Sequence, residues 1–329
     1  MESHSAWRAH LSMLFRVAVT IGVVVLAGWY VALRPEAFRP ILAVSPVFIL
    51  VLSVLLFLTW TVYGIKLKLL TALFRVALGW TEAVGVYITS VFFNYLLFYV
   101  GFAFRGVYLK HRYGLPYPTF AAMSSLRGVG VLLAAGVAGP LLTVGSNVPF
   151  GASWPLVIFF LAVGVLGAAA FLVQTRLVSL RLGWLKPLTA FVEGWRDIRD
   201  QPKQVARIMA LELFGIGLYA VRLYVAFWGL GIDVPLTACG VMAIGGVLTS
   251  FISLTPGTLV IQEAVAAFVA VAFGVTFQVA LAAAVLDRAI DLTWSITVGS
   301  VLTFLFSQRM GELVPFRKEW AVRPPSEDE

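Results

Sequence analysis

Polar positions along this chain are confined to short stretches between long apolar runs. The runs cover residues 16–33, 45–65, 84–104, 120–144, 154–173, 208–228, 234–254, 258–275 and 280–306. A bilayer core of ~30 Å needs roughly 20 apolar residues per helix, so most runs are long enough to cross one. None alternates with the period of two that a membrane barrel requires. The first run is followed by Arg34-Pro35-Glu36 with no small-residue cleavage site. It reads as a retained span rather than a signal peptide.

Composition agrees with the pattern: 60% of the 329 residues are hydrophobic and 12% charged, with a mean hydropathy of +0.95. This describes an all-α polytopic membrane protein. The longest polar stretch, 174–207, has the length of one helical hairpin, and the tail after Ser307 is shorter; neither can bury a core of its own. The formal charge of +8 comes from Lys and Arg in short loops beside apolar runs. That placement points to membrane orientation and anionic phospholipid headgroups as partners, not nucleic acid. Cys239 is alone, and His4, His10 and His111 lack ligand spacing, so no metal site or cofactor is expected. A phosphate-binding Gly-Lys-Ser/Thr loop and a Gly-x-Ser-x-Gly elbow are both missing from the sequence.

Loop charge sets the expected topology. The loops at 145–153 and 229–235 hold no Lys or Arg and should be external, whereas 174–207 and the tail, with Arg309, Arg317, Lys318 and Arg323, should be cytoplasmic. Both flanks of 84–104 are basic, which a simple span forbids. A re-entrant hairpin with Asn94 near its tip removes the conflict and puts the N-terminus inside, at the cost of Arg34 and Arg39 in an external loop. A shift of 160 residues superposes the run order of the two halves, pairing Thr89-Ser90 with Thr249-Ser250, Gly114 with Gly274 and, after a one-residue slip, Arg127 with Arg288. The first unit begins inside and the second outside, so the repeat is inverted. Its counterpart hairpin turns at Thr255-Pro256-Gly257, where proline and glycine end a helix; an ordinary turn between two spans is the alternative. The expected fold is about six full spans plus two re-entrant helical hairpins, or seven to eight spans, N-in and C-in. Its parts are a first membrane repeat (1–150), a second (151–308, with 174–207 a cytoplasmic amphipathic linker) and a polar tail (309–329).

Ionisable residues on apolar spans are costly and mark candidate function. These are Arg127, Glu212, Arg222, Glu263 after the helix break at Pro256 and Gly257, and the triplet Asp287, Arg288, Asp291. Asp287 and Asp291 share a helix face, and Arg288 reaches the latter. The cluster is one negative charge in excess, and Arg127 is the arginine expected to complete it, unless the group is a purely structural ion network. Glu212 and Arg222 lie near span ends, where snorkelling explains them. Arg105, Lys110 and Arg112, interleaved with Phe104, Tyr108 and Tyr113, suit a lipid phosphate at the interface or simple positive-inside flanking.

Two segments resemble the lysylphosphatidylglycerol synthase transmembrane-region family, also described as flippase-like proteins. Pro256-Gly257-Thr258-Leu259-Val260-Ile261-Gln262-Glu263-Ala264 is similar to that family's Pro-Gly-Gly-Leu-Gly-x-Arg-Glu-Ala, followed by Phe273-Gly274-Val275 and Arg288. Asn94, Gly101 and Arg105 match a second pattern, in which this chain has Leu97-Phe98-Tyr99 for Pro-Gly-Arg and Phe102 for an acidic residue. Gln262 stands where the first motif has arginine, so fewer charges line the implied site. The family's synthase activity belongs to a separate soluble domain, for which the sequence to Glu329 leaves no room, so aminoacyl transfer is not implied. The resemblance implies a bacterial or archaeal inner-membrane protein that moves a lipid or lipid-linked headgroup between leaflets.

The expected function is therefore a flippase-like lipid transporter. Arg105, Arg127, Arg288, Asn94 and Glu263 would bind the headgroup, with Arg127 and Arg288 on its phosphate. Glu263, Asp287 and Asp291 would balance charge or couple a proton. The alternatives are an integral-membrane enzyme of lipid or polyprenyl-linked sugar metabolism and a non-catalytic partner of a synthase or glycosyltransferase. A second copy of the chain or a separate lipid-modifying enzyme is left open as partner.

Overall fold

The computed structural model describes residues 29, 33, 35–96, 99–146, 150–177, 186–251 and 255–313. Among them every regular element is a helix: α1 (Pro35–Leu42), α2 (Pro46–Ala72), α3 (Trp80–Leu96), α4 (Val100–Tyr113), α5 (Tyr117–Val144), α6 (Phe150–Leu177), α7 (Lys186–Arg199), α8 (Pro202–Gly229), α9 (Leu236–Leu248), α10 (Ile261–Val271) and α11 (Phe277–Leu313). Two short 3-10 turns, Thr249–Phe251 and Pro256–Thr258, lie between α9 and α10. Almost all of the span expected at 16–33 falls outside the described residues. The tail expected at 309–329 begins within α11, and its part past 313 also falls outside them.

Five stretches are long and apolar enough to cross a bilayer: Pro46–Ala72, Tyr117–Val144, Ser153–Arg176, Pro202–Gly229 and Phe277–Phe306. Proline starts two of them, Pro46 and Pro202 occupying first-turn positions where its missing N–H costs nothing and its fixed φ suits the helix. Ser45 caps α2 by accepting from the Val47 amide at 3.4 Å. At the other end the Gln201 side chain donates to the Leu73 carbonyl at 3.0 Å, meeting an acceptor the helix leaves unpaired. The outer face of α6 exposes Ile158, Phe159, Leu161, Val165 and Leu166, a surface suited to hydrocarbon.

Helices α3, α4, α9 and α10 are shorter than these five. At 1.5 Å per residue α3 is about 25 Å long, α4 about 21 Å, α9 about 20 Å and α10 about 17 Å. They form two helical hairpins, α3–α4 and α9–α10. At the base of the first, Glu82 accepts from the Tyr108 and Tyr113 hydroxyls and from Arg112 Nε, the last at 2.9 Å. The packing follows a regular scheme. Helix α3 lies against α2 and α11, and α9 lies against α8 and α5. Two further contacts, α2 with α11 and α8 with α5, complete it.

Helix α7 is amphipathic, and its apolar side faces protein. Trp195 and Ile198 are fully buried, and the Trp195 indole N–H donates to Ser125 Oγ at 3.0 Å. The amphipathic linker expected at 174–207 thus packs against α5 through this helix; its residues 178–185 lie outside the described residues.

Helices α5 and α6 approach at glycines. A Cβ on Gly136 would lie 2.2 Å from the Gly164 Cα, and one on Gly139 would lie 2.4 Å from the Phe160 ring. The small-residue run at 132–139 thus serves contact within the chain, where backbone proximity supplies the dispersion energy that association in lipid depends on. Gly136→Leu is expected to cost about 1–3 kcal/mol through overpacking, read as a lower thermal unfolding midpoint in detergent. Gly217→Ala on α8, where a Cβ meets nothing within 4 Å, should keep the midpoint or raise it, since alanine is the better helix former.

Candidate functional site

The two hairpin turns are built by residues that adopt left-handed backbone angles. In the first, Tyr99 has φ 55°, and the Gly101 amide donates to Asn94 Oδ1 at 3.0 Å, closing the turn. A Cβ at Gly101 would sit 1.8 Å from the Ser90 carbonyl oxygen, so only glycine allows α4 to start there. In the second, Gly257, Thr258 and Val260 have φ of 60°, 55° and 69°. A Cβ on Gly257 would meet the Tyr95 ring at 2.7 Å, so the residue is constrained both by its angle and by the other hairpin. The two turns touch.

Beside them is a cavity of about 390 Å³, lined by Asn94, Arg105, Arg127, Gly257, Glu263, Asp287, Arg288 and Asp291 together with Tyr95, Glu212, Tyr219, Arg222 and Gln262. The structure thus brings all the candidate headgroup and charge-balance residues to one site, with Pro256 starting the 3-10 turn between the lining residues Thr255 and Gly257. Its size suits a small headgroup.

Arg288 joins three elements. Its Nε is 2.7 Å from Glu263 Oε1 and its Nη1 is 3.5 Å from Asp291 Oδ2. Nη1 also donates to the Tyr95 hydroxyl at 2.9 Å, and that hydroxyl donates to Asp291 Oδ2 at 2.9 Å. Nη2 donates to the Gly257 carbonyl and reaches Thr258 Oγ1 and Gln262 Oε1, both at 3.3 Å. One guanidinium on α11 therefore holds a carbonyl freed by the broken helix and a side chain of the opposite hairpin.

The other charges pair differently from the expectation. Asp287 is completed by Arg222, not Arg127: Nε and Nη2 donate to Oδ1 and Oδ2 at 2.8 and 2.9 Å, a bidentate geometry in which both groups are buried. Glu212 pairs with Lys66, again fully buried. Neither Arg222 nor Glu212 snorkels; each is held inside the protein by a partner on another helix. The only sequence signal for these pairs was the presence of opposite charges on different apolar runs, since a buried ion without a counterion is strongly disfavoured. Tyr95 carried no signal, being a polar residue ordinary in helices, and Gln262 stood out only as a departure from the family motif.

Arg105 and Arg127 remain. Among the described residues neither makes a hydrogen bond or an ion pair, and Arg105, 9% exposed, has its Nε buried without a partner. Glu263 Oε2 is likewise buried and unpartnered. Among the described residues no group of three His, Cys, Asp or Glu is disposed to hold a metal ion.

Arg222→Met leaves Asp287 buried without its partner and is expected to destabilise the fold by about 3–5 kcal/mol. The double variant Arg222→Met/Asp287→Leu should recover most of that loss. Thermal unfolding of the parent, Arg222→Met, Asp287→Leu and the double variant checks this, and simple addition of the single losses would show that the two residues do not act as a pair.

No curated protein matches the chain, and no solved structure does. The family model described as the lysylphosphatidylglycerol synthase TM region matches residues 13–299, a range that holds both hairpins and every charged residue of the cavity. The chain is an integral membrane protein and belongs to the family of lysylphosphatidylglycerol synthase transmembrane regions.

Proposed function

We propose that the chain is a flippase-like transporter that carries a phospholipid or lipid-linked headgroup between the leaflets of a bacterial or archaeal inner membrane. The observation that carries this reading is the meeting of two broken-helix hairpins beside one charged cavity. Irregular backbone at membrane depth is tolerated where it is buried in protein or lines a wet cavity, and transporters place substrate sites at such breaks. On this reading α3–α4 and α9–α10 are re-entrant, both termini are cytoplasmic, and the chain is an inverted repeat of α2–α5 and α8–α11.

The packing scheme supports the repeat. Exchanging α2 with α8, α3 with α9, α4 with α10 and α5 with α11 turns the α2–α3, α3–α4, α3–α11 and α2–α11 contacts into α8–α9, α9–α10, α9–α5 and α8–α5, each of which occurs. Gly114 and Gly274, 160 positions apart, follow the second helix of each hairpin with φ of 70° and 76°. Alternating access would rock one unit against the other, and the Tyr95–Arg288–Gly257 contact is the part of the site that such motion must loosen.

Membership of a lipid-related membrane family also fits an enzyme of lipid metabolism or a docking partner, and one experiment separates the three. Purified protein is reconstituted in liposomes with headgroup-labelled phospholipids and leaflet accessibility is followed. Faster exchange, lost in Arg288→Ala and reduced in Glu263→Gln, is the expected result. A change in lipid mass would favour the enzyme. No exchange, together with a stoichiometric complex isolated from membranes, would favour the docking role.

A further inference from the structure

The charges around the cavity are not evenly mixed. Arg222 and Asp287 cancel. On one side Arg288 faces two carboxylates, Glu263 and Asp291, leaving one negative charge in excess. On the other, Lys66, Arg105 and Arg127 are close enough for their charges to act on one another, and the one carboxylate among them, Glu212, is taken by Lys66. That side holds two positive charges in excess, both on guanidinium groups that line the cavity. Two arginines that repel each other, one of them buried with an unpartnered nitrogen, are destabilising unless something anionic joins them.

We infer that Arg105 and Arg127 form a binding site for a phosphate group in the cavity, and that Arg288 contacts no ligand but latches the hairpin turns together. This rests on the transport reading and deepens it, by moving the phosphate from the Arg127–Arg288 pair expected from sequence to the Arg105–Arg127 pair. The hydrogen bonds and ion pairs of Arg288 are spent on Glu263, Asp291, Tyr95 and the 257–262 segment. Among the described residues Arg105 and Arg127 make none. A phosphate diester offers two anionic oxygens to a pair of guanidinium forks, the geometry in which arginine binds phosphate best. The aromatic rings of Tyr63 and Tyr87, stacked 5.5 Å apart, line the same cavity and would screen the anion from bulk water.

The test measures binding, which needs no translocation. Dioctanoyl-phosphatidylglycerol is titrated into the purified full-length protein in detergent, beside dioctanoylglycerol, which has the same tails and no phosphate, and beside inorganic phosphate as competitor. Saturable binding of the phospholipid alone is expected. Arg105→Gln and Arg127→Gln should each weaken it about tenfold or more, the scale of one charge-assisted contact, and Arg127→Lys should weaken it less than Arg127→Gln, keeping the charge but losing the fork. Inorganic phosphate that competes at millimolar concentration identifies a site that reads the free anion; failure to compete identifies one that requires the phosphate on its lipid.

The unfolding midpoint gives a second readout, since a structural arginine and a ligand-binding one move it in opposite directions. Neutralising either residue relieves repulsion, so both Gln variants should unfold at the same temperature as the parent or higher, and only the parent should be stabilised by phosphatidylglycerol. Equal binding of the two dioctanoyl lipids, or folded Gln variants that bind phosphatidylglycerol like the parent, would overturn the proposal. Phosphate-dependent binding without leaflet exchange would leave this site standing and remove the transport reading.

Discussion

A charge moved into hydrocarbon costs several kcal/mol even after the bilayer adjusts, and a backbone carbonyl without a donor at that depth costs a comparable amount. In this protein one group answers both demands. Arg288 pairs with Glu263 and Asp291 while donating to the carbonyl of Gly257, which the Pro256–Gly257 break has released from any helix. The freed carbonyl accepts from the arginine as well as from the Thr258 hydroxyl, and the arginine needs the carboxylates for its charge. Tyr95, hydrogen-bonded to both Arg288 and Asp291, ties the first hairpin to the same centre. The arrangement of α3, α10 and α11 around the cavity follows from these few contacts.

The remaining buried ions show why pairing across helices organises the bundle. Lys66 on α2 and Glu212 on α8, and Arg222 on α8 and Asp287 on α11, link the helices that the apolar core also joins. Apolar packing in lipid specifies rotation and depth weakly, because one Leu or Val contact is much like another. A bidentate pair such as Arg222–Asp287 fixes both within a fraction of a helical turn. Such pairs add register more than they add stability.

Much of the helical content was legible in the sequence because the length of an apolar run is a direct physical requirement of the bilayer. The break at Pro256-Gly257 was legible for a similar reason, since neither residue continues a helix. The ion pairs were not. Glu212 and Arg222 were read as snorkelling from their distance to a span end, but burial depends on what packs outside that end. Their partners lie 146 and 65 positions away in sequence, a separation no local pattern reports. Assigning Arg127 to the aspartate cluster followed from treating the two halves as equivalent, and it is in their charges that the halves differ.

That difference bears on how such a site could work. Arg127 and Arg288 occupy corresponding positions in the proposed repeat, yet Arg288 meets two carboxylates and Arg127, among the described residues, meets none. A symmetric pair of fully compensated arginines would make a stable and inert centre, with no free charge to recognise a ligand. A symmetric pair of uncompensated ones would leave the broken helices unpinned and the fold costly. Compensating one half and leaving the other open divides these tasks: the second half holds the hairpin turns in place, and the first keeps a positive surface facing the cavity. If the units rock, the open half can release its ligand without unpairing the ions that hold the closed half together. A site of this kind can then bind and let go at a cost set by a few hydrogen bonds, the Tyr95–Arg288 contact among them, while the ion pairs within the second unit stay intact.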